Sequence, residues 1–172
     1  MNTEGGVIDG NVQPGWFDLR WISFGSPSAI VTSMALIVGL DTATATRMTV
    51  LASLLIIGIA DNLTDSLSVH IYQESERLAA THAFRTTVAN FVARFTVSLS
   101  FILLFLALPP KFAVYACLAW GGFLLSYLSY LLAKARHVGA LSEIVKHVGV
   151  AVVVILLSSG IGFLIRSLAA YS

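Results

Sequence analysis

The sequence is poor in charged residues and carries almost no excess of either sign. Of its 172 residues 11% are charged, 57% are hydrophobic, and the formal net charge is +1. A basic face wide enough for nucleic acid cannot form from so few scattered charges, so nucleic acid is excluded as a partner. The apolar fraction lies well above that of a soluble domain and predicts an integral membrane protein.

Cysteine and catalytic motifs are also scarce. Cys117 is the only cysteine, which excludes a disulfide framework and a thiolate metal cluster within one chain. The sequence contains neither H-E-x-x-H nor G-x-S-x-G, and no Ser, His and Asp set with evident pairing. We therefore predict that the protein is not an enzyme.

Hydrophobic length predicts the fold. Spanning a bilayer takes about 20 apolar residues, and five stretches qualify: 21–40, 48–72, 88–108, 112–133 and 144–166. The links between them are short, the longest being "QESERLAATHAFRTT" at 73–87. The sequence thus predicts an all-α, five-helix transmembrane domain over residues 21–172. Residues 1–20, polar and unlike a signal peptide, are predicted to form an N-terminal tail.

Lysine and arginine predict the orientation. A cytoplasmic N-terminus places seven of these residues inside (Arg20, Arg77, Arg85, Arg94, Lys134, Arg136 and Lys146) and three outside (Arg47, Lys111 and Arg166). Because cytoplasmic segments carry the excess of basic residues, the N-terminus is predicted inside and the C-terminus outside.

Small residues predict where helices approach closely. Ser26, Ala29 and Ser33 lie in the first span, and Gly160 and Gly162 in the fifth. Small side chains let the backbones of membrane helices come together, so these positions are predicted to lie at helix contacts.

The second span is unusually acidic. Residues 58–76, "GIADNLTDSLSVHIYQESE", hold four of the nine acids, together with Asn62 and His70. At about 100° per residue Asp61 and Asp65 share one helix face. At about 1.5 Å per residue Asp61 lies near mid-bilayer and Asp65 about 6 Å nearer the cytoplasm. The acids are therefore predicted to form a column along the helix.

Two carboxylates at this depth favour a cation or proton path. Carboxylate, amide and imidazole ligands suit Mn²⁺, Fe²⁺ or Mg²⁺ better than soft metals. In a structural alternative Asp61 pairs with Arg94, while Asn62 and Ser66 form interhelical hydrogen bonds. Arg94 itself is predicted to snorkel, since it lies near the cytoplasmic end of the predicted third span.

Residues nearer the cytoplasm have a simpler interpretation. His70 fits the mouth of a path or a solvated interfacial position equally well. Gln73, Glu74 and Glu76 are predicted to form a wet helix end, which would be the cytoplasmic vestibule of any such path.

Three segments resemble the vacuolar iron transporter family. "AIVTSMALIVGL" at 29–40 is similar to the family's first helix, D-G-x-x-T-S-F-A-L-x-A-G-L, and "GIADNLTDSLSV" at 58–69 to its second, G-I-A-[EN]-x-x-A-x-A-x-S-M. "EIVKHVGVAVVVILLSSGIGFLI" at 143–165 resembles its final helix. The likeness is to a distant, short, bacterial-type member without the cytoplasmic metal-binding insertion.

This resemblance implies a dimer that exports Fe²⁺ or Mn²⁺ from the cytosol in exchange for protons, along a path between its first two helices. Asp61 stands where some members have a pathway Glu. Ser28 stands in place of the family's first-helix Asp, and Val69 in place of its Met. Ser28 and Asp65 are at similar predicted depth, so Asp65 is a candidate to replace the lost acid.

The sequence as a whole predicts a proton-coupled divalent metal transporter, a homodimer of the bacterial inner (plasma) membrane. Its predicted pathway residues are Asp61, Asp65, Asn62, His70 and Ser28, with Arg94 as a candidate charge partner. Fe²⁺ or Mn²⁺ would be cargo, and no permanently bound cofactor is predicted. The alternative is a relative that does not transport and serves as a membrane scaffold or partner subunit, with an unidentified protein partner.

Overall fold

The fold is helical throughout the part of the chain that is described. A computed structural model describes residues 19–75 and 80–171, with side-chain surroundings for 25–75 and 84–171. Its helices are α1 (Leu19–Thr42), α2 (Arg47–Ser75), α3 (Ala80–Ala107), α4 (Pro110–Ala135) and α5 (Ala140–Ala169). The all-α prediction is confirmed, and the predicted tail, residues 1–20, lies almost wholly outside the described residues.

Four helices are long and apolar enough to cross a membrane. They are α2, α4, α5 and the Phe84–Ala107 part of α3. This fits an integral membrane protein. The crossing by α1 and the orientation of the termini stay predictions.

The connection between α2 and α3 is shorter than predicted. Helix α2 continues to Ser75 and α3 begins at Ala80, so most of the predicted link at 73–87 is helical. Hydropathy marks where a chain leaves the apolar core, whereas helix propensity decides where a helix ends. Leucine and alanine at 78–80 are strong helix formers, and α3 therefore starts well before its apolar stretch.

Helix α1 occupies the centre of the bundle. It contacts each of the other four helices, which follow one another around it in chain order. Its predicted contact residues Ser26, Ala29 and Ser33 are all buried. Small side chains allow α1 to be surrounded closely, and the buried hydroxyl-bearing residues Ser26 and Ser33 lie where it packs against its neighbours.

The predicted glycine contact of α5 is confirmed at Gly162 and wrong at Gly160. A Cβ placed on Gly162 would press against the carbonyl oxygen of Gly39 and lie 3.2 Å from the amide nitrogen of Ala43. A Cβ on Gly160 would have no heavy atom within 4 Å. The two positions differ because residues two apart on a helix lie on different faces.

These two glycines make a matched test of the packing between α1 and α5. We expect Gly162→Ala to lower the free energy of unfolding by about 1 to 3 kcal/mol. The added methyl group would clash with backbone atoms, which can move only if the whole helix shifts. Gly160→Ala should be neutral or stabilising by up to about 1 kcal/mol through helix propensity. Thermal denaturation of both variants in detergent measures the difference. Equal changes at the two positions would contradict the close approach.

Candidate functional site

Arg94 lies in the middle of α3 and is completely buried. Its relative exposure is 0%, and fourteen residues separate it from Ala80 and thirteen from Ala107. A snorkelling side chain places its charged group in water, whereas this guanidinium is enclosed by protein. The predicted snorkelling is therefore wrong. It considered how near Arg94 lies to the end of the predicted span, and not the helices that pack around it.

The guanidinium of Arg94 joins three helices. Its Nε donates to Oδ1 of Asn62 at 3.0 Å, and its Nη2 donates to Oδ2 of Asp61 at 2.9 Å. Its Nη1 lies 2.5 Å from the carbonyl oxygen of Gly25 on α1 and 2.5 Å from Oδ2 of Asp65 on α2. A buried cation is tolerated when its donors are paired in this way. The predicted pairing of Asp61 with Arg94 is present, and Asp65 joins it.

The two carboxylates remain partly open although both bind the same arginine. The side chain of Asp61 is 37% exposed and that of Asp65 is 43% exposed. Asp61 is the central residue of α2, with fourteen residues on either side. The site therefore contains one acidic side chain more than it has basic ones. This excess lies on the outer side of the bundle, halfway along an apolar helix.

The close contact between Arg94 and α1 depends on a glycine. A Cβ on Gly25 would lie 2.6 Å from Oδ1 of Asn90 and 2.7 Å from Cδ of Arg94. Two residues later, Pro27 stands inside α1, where it removes one backbone donor and crowds the preceding turn. Because Gly25 has no side chain, the guanidinium of Arg94 can reach the backbone of α1 at this point.

Polar side chains continue the site along the interface between α2 and α3. Asn90 donates to Ser66 at 3.4 Å, and Asn62 donates to Ser98 at 3.3 Å. Four buried polar residues of α3 follow one another at every fourth position: Thr86, Asn90, Arg94 and Ser98. This stripe was not predicted from the sequence. The spacing of four in an otherwise apolar helix was the signal that would have revealed it.

His70 belongs to a separate cluster. Its Nδ1 lies 3.2 Å from the hydroxyl of Thr87 on α3, and its Nε2 lies 3.4 Å from a carboxylate oxygen of Glu74. Five residues, or about 7.5 Å along the helix, separate it from Asp65. The structure does not bring His70 into hydrogen-bond contact with either aspartate.

The other predicted pathway residues are scattered. Ser28 is exposed on α1, and in the described part of the chain no hydrogen bond links it to the aspartates. Glu74 is exposed, whereas Gln73 is only 1% exposed, and among the described residues neither polar atom of its amide has a hydrogen-bond partner. The prediction of a wet position is wrong for Gln73, because that side chain faces the bundle. Glu76 lies outside the described residues.

No ready-made metal site of three His, Cys, Asp or Glu side chains occurs among the described residues of a single chain. Asp61 and Asp65 are two carboxylates whose Oδ2 atoms are taken by Arg94. What the arrangement offers chemically is carboxylate oxygen, the ligand that protons and hard cations prefer.

Comparison of the chain with protein-family models, curated proteins and solved structures gives no match. The resemblance to vacuolar iron transporters therefore rests on three segments of the sequence, at 29–40, 58–69 and 143–165.

The charge network predicts a non-additive response to mutation. We expect Arg94→Leu to lower the free energy of unfolding by on the order of 3 kcal/mol, since it leaves two carboxylates without their partner. The triple variant Arg94→Leu, Asp61→Asn and Asp65→Asn should recover most of that loss, because no unpaired charge remains. Thermal denaturation in detergent is the measurement.

Arg166→Leu is the matched control, because Arg166 is an exposed arginine near the end of α5. It should change the melting temperature little. A triple variant that is less stable than Arg94→Leu alone would show that the carboxylates do not depend on Arg94.

Proposed function

We propose that this protein is a cation transporter, a homodimer that exports divalent Fe²⁺ or Mn²⁺ from the cytosol in exchange for protons. The observation that supports it best is the composition of the site: two partly exposed carboxylates share one fully buried arginine. One negative charge is left over at the middle of an apolar helix. A purely structural ion pair would need only one acid for each base.

A carboxylate this far along a membrane helix is unfavourable against lipid. Such groups face a protein interior or a wet cavity, and they usually serve an ion or proton path. The exposed sides of Asp61 and Asp65 therefore require cover, which a second copy of the chain would provide by packing α2 against α2. In that arrangement the acids of both chains line one polar space between the subunits.

The identity of the cargo follows from ligand chemistry and from the resemblance. Carboxylate and amide oxygens suit Mn²⁺, Fe²⁺ or Mg²⁺, and the vacuolar iron transporters that the first two helices resemble carry iron and manganese. Asp61 is the position that this resemblance carries over directly, and Asp65 is one helical turn away from it. In this proposal all five helices cross the bacterial inner membrane, with the N-terminus in the cytoplasm.

A scaffold or partner subunit is the second candidate, and one observation favours it. Arg94 ties α1, α2 and α3 together through Gly25, Asn62 and the two aspartates. A network of this kind stabilises the arrangement of membrane helices without any transport. The candidates differ in what the second carboxylate does, because a scaffold has no use for its charge.

Flux through proteoliposomes tests the proposal. We expect purified wild-type protein to move Mn²⁺ or Fe²⁺ with opposed movement of protons. Asp61→Asn and Asp65→Asn should each lower the flux about tenfold or more, as the loss of a ligand does at metal sites. A metal-sensitive dye and a pH-sensitive dye inside the same vesicles report both ions.

Asp41→Asn is the matched control, because Asp41 is an exposed aspartate near the C-terminal end of α1. Its flux should equal that of the wild type. Absence of metal flux from folded, dimeric wild-type protein would favour the scaffold.

A further inference from the structure

The turn between α4 and α5 belongs at the surface of a membrane. It joins two helices that are each long and apolar enough to cross a bilayer, Pro110–Ala135 and Ala140–Ala169. Only four residues, 136–139, connect them, so the turn stays close to the point where both helices leave the apolar core. Tyr130, near the end of α4, is exposed, and exposed tyrosines are typical of the headgroup level. Side chains at this turn are therefore within reach of lipid headgroups.

Three exposed bases surround the turn. Lys134 is exposed in the last turn of α4, and the side chains of Arg136 and Lys146 are 59% and 65% exposed. Between residues 134 and 147 the only acid is Glu143, whose side chain is 12% exposed. The turn therefore has two basic side chains more than acidic ones, and the charge that it exposes is mainly positive.

Glu143 holds two of the bases together and leaves most of their donors unused. Its Oε1 accepts from Nζ of Lys146 at 3.0 Å, and its Oε2 lies 3.7 Å from Nη1 of Arg136. An arginine has five N–H donors and a lysine has three, so one carboxylate does not satisfy both groups. This acid thus fixes one base from each helix beside the same carboxylate, with donors left for a further acceptor.

Apolar side chains are exposed next to these bases. Val138 lies in the turn, and Leu141 and Val145 follow in the first two turns of α5; all three are exposed, Leu141 to 75%. Exposed apolar side chains beside basic ones match the boundary between headgroups and acyl chains. A free anion would use only the charged part of this surface, whereas a lipid would use both parts.

We propose that the α4–α5 turn is a binding site for an anionic phospholipid. The headgroup phosphate lies against Lys134, Arg136 and Lys146, and the acyl chains lie along Leu141 and Val145. Charge complementarity is the basis of this assignment, because basic residues next to membrane helices attract anionic headgroups. The predicted orientation places the turn in the cytoplasmic leaflet, where anionic lipids carry the surface charge. The site does not depend on the proposed transport.

The opposite end of the bundle provides the contrast. There Arg47 donates to the carbonyl oxygens of Phe105 and Leu108 at the end of α3. Lys111 and Arg166 are exposed near the ends of two different helices, and no ion pair among the described residues holds either of them beside another base. These two residues supply a control with the same two side-chain types.

Native mass spectrometry tests the proposal. The purified, detergent-solubilised protein is mixed with equimolar phosphatidylglycerol and phosphatidylcholine, and the lipids retained are counted. We expect the wild type to prefer phosphatidylglycerol. Lys134→Gln with Arg136→Gln should lower this preference about 25-fold, because each base near an anionic surface contributes a factor of about five. Lys111→Gln with Arg166→Gln removes equal charge at the other end and should leave the preference unchanged.

A second measurement on the wild type keeps the proposal testable if the double variant at the turn does not fold. Photo-crosslinkable phosphatidylglycerol in phosphatidylcholine vesicles that contain the protein should attach between residues 130 and 147. Equal retention of the two lipids by the wild type, equal losses in the two double variants, or cross-links spread evenly over both ends would overturn the proposal. Displacement of the lipid by inorganic phosphate would overturn it in favour of a site for a free anion.

Discussion

A single guanidinium buried between three helices is the constraint on which the packing of α1, α2 and α3 depends. Arg94 has no exposure to solvent, so each of its donors must find an acceptor within the protein. The surrounding sequence supplies them: two carboxylates and an amide one turn apart on α2, and a backbone carbonyl on α1. Two further features serve the burial of this arginine. Gly25 leaves room for the guanidinium to reach the backbone of α1, and the polar stripe of α3 places hydrogen-bonding side chains beside it.

The same network ties the helices together and contains one carboxylate more than Arg94 alone requires. If Arg94 faced one acid, the group would be neutral and closed. It faces two, and both are more than a third exposed. A structural and a functional role are therefore compatible at this site: the arginine holds the helices together, and the surplus carboxylate remains available to a proton or cation. The difference between a scaffold and a transporter reduces to the fate of one negative charge.

The helices and the acid column were predictable because hydrophobic length and acids in an apolar run are local signals. The pairing of Arg94 with Asp61 was predictable from opposite charges in neighbouring apolar helices. The complete burial of Arg94 and its contact with Asp65 were not, because they depend on how α1 and α2 pack around α3. The contact with Gly25 could not be predicted at all, since a backbone carbonyl carries no side-chain signal and its approach depends on how α1 packs. The burial of Gln73 likewise depends on packing.

Helix α1 is fastened differently at its two ends. Near its C-terminus Gly39 lies against the backbone of Gly162 on α5, a contact between rigid main chains. Near its N-terminus Gly25 is held by the tip of a long side chain, with Pro27 next to it. The first contact joins two backbones directly, and the second depends on the conformation of one side chain. Because a side chain changes its rotamer more easily than a main chain shifts, a rearrangement of Arg94 would alter the contacts of the half of α1 that contains the proline and leave the half at Gly39 in place.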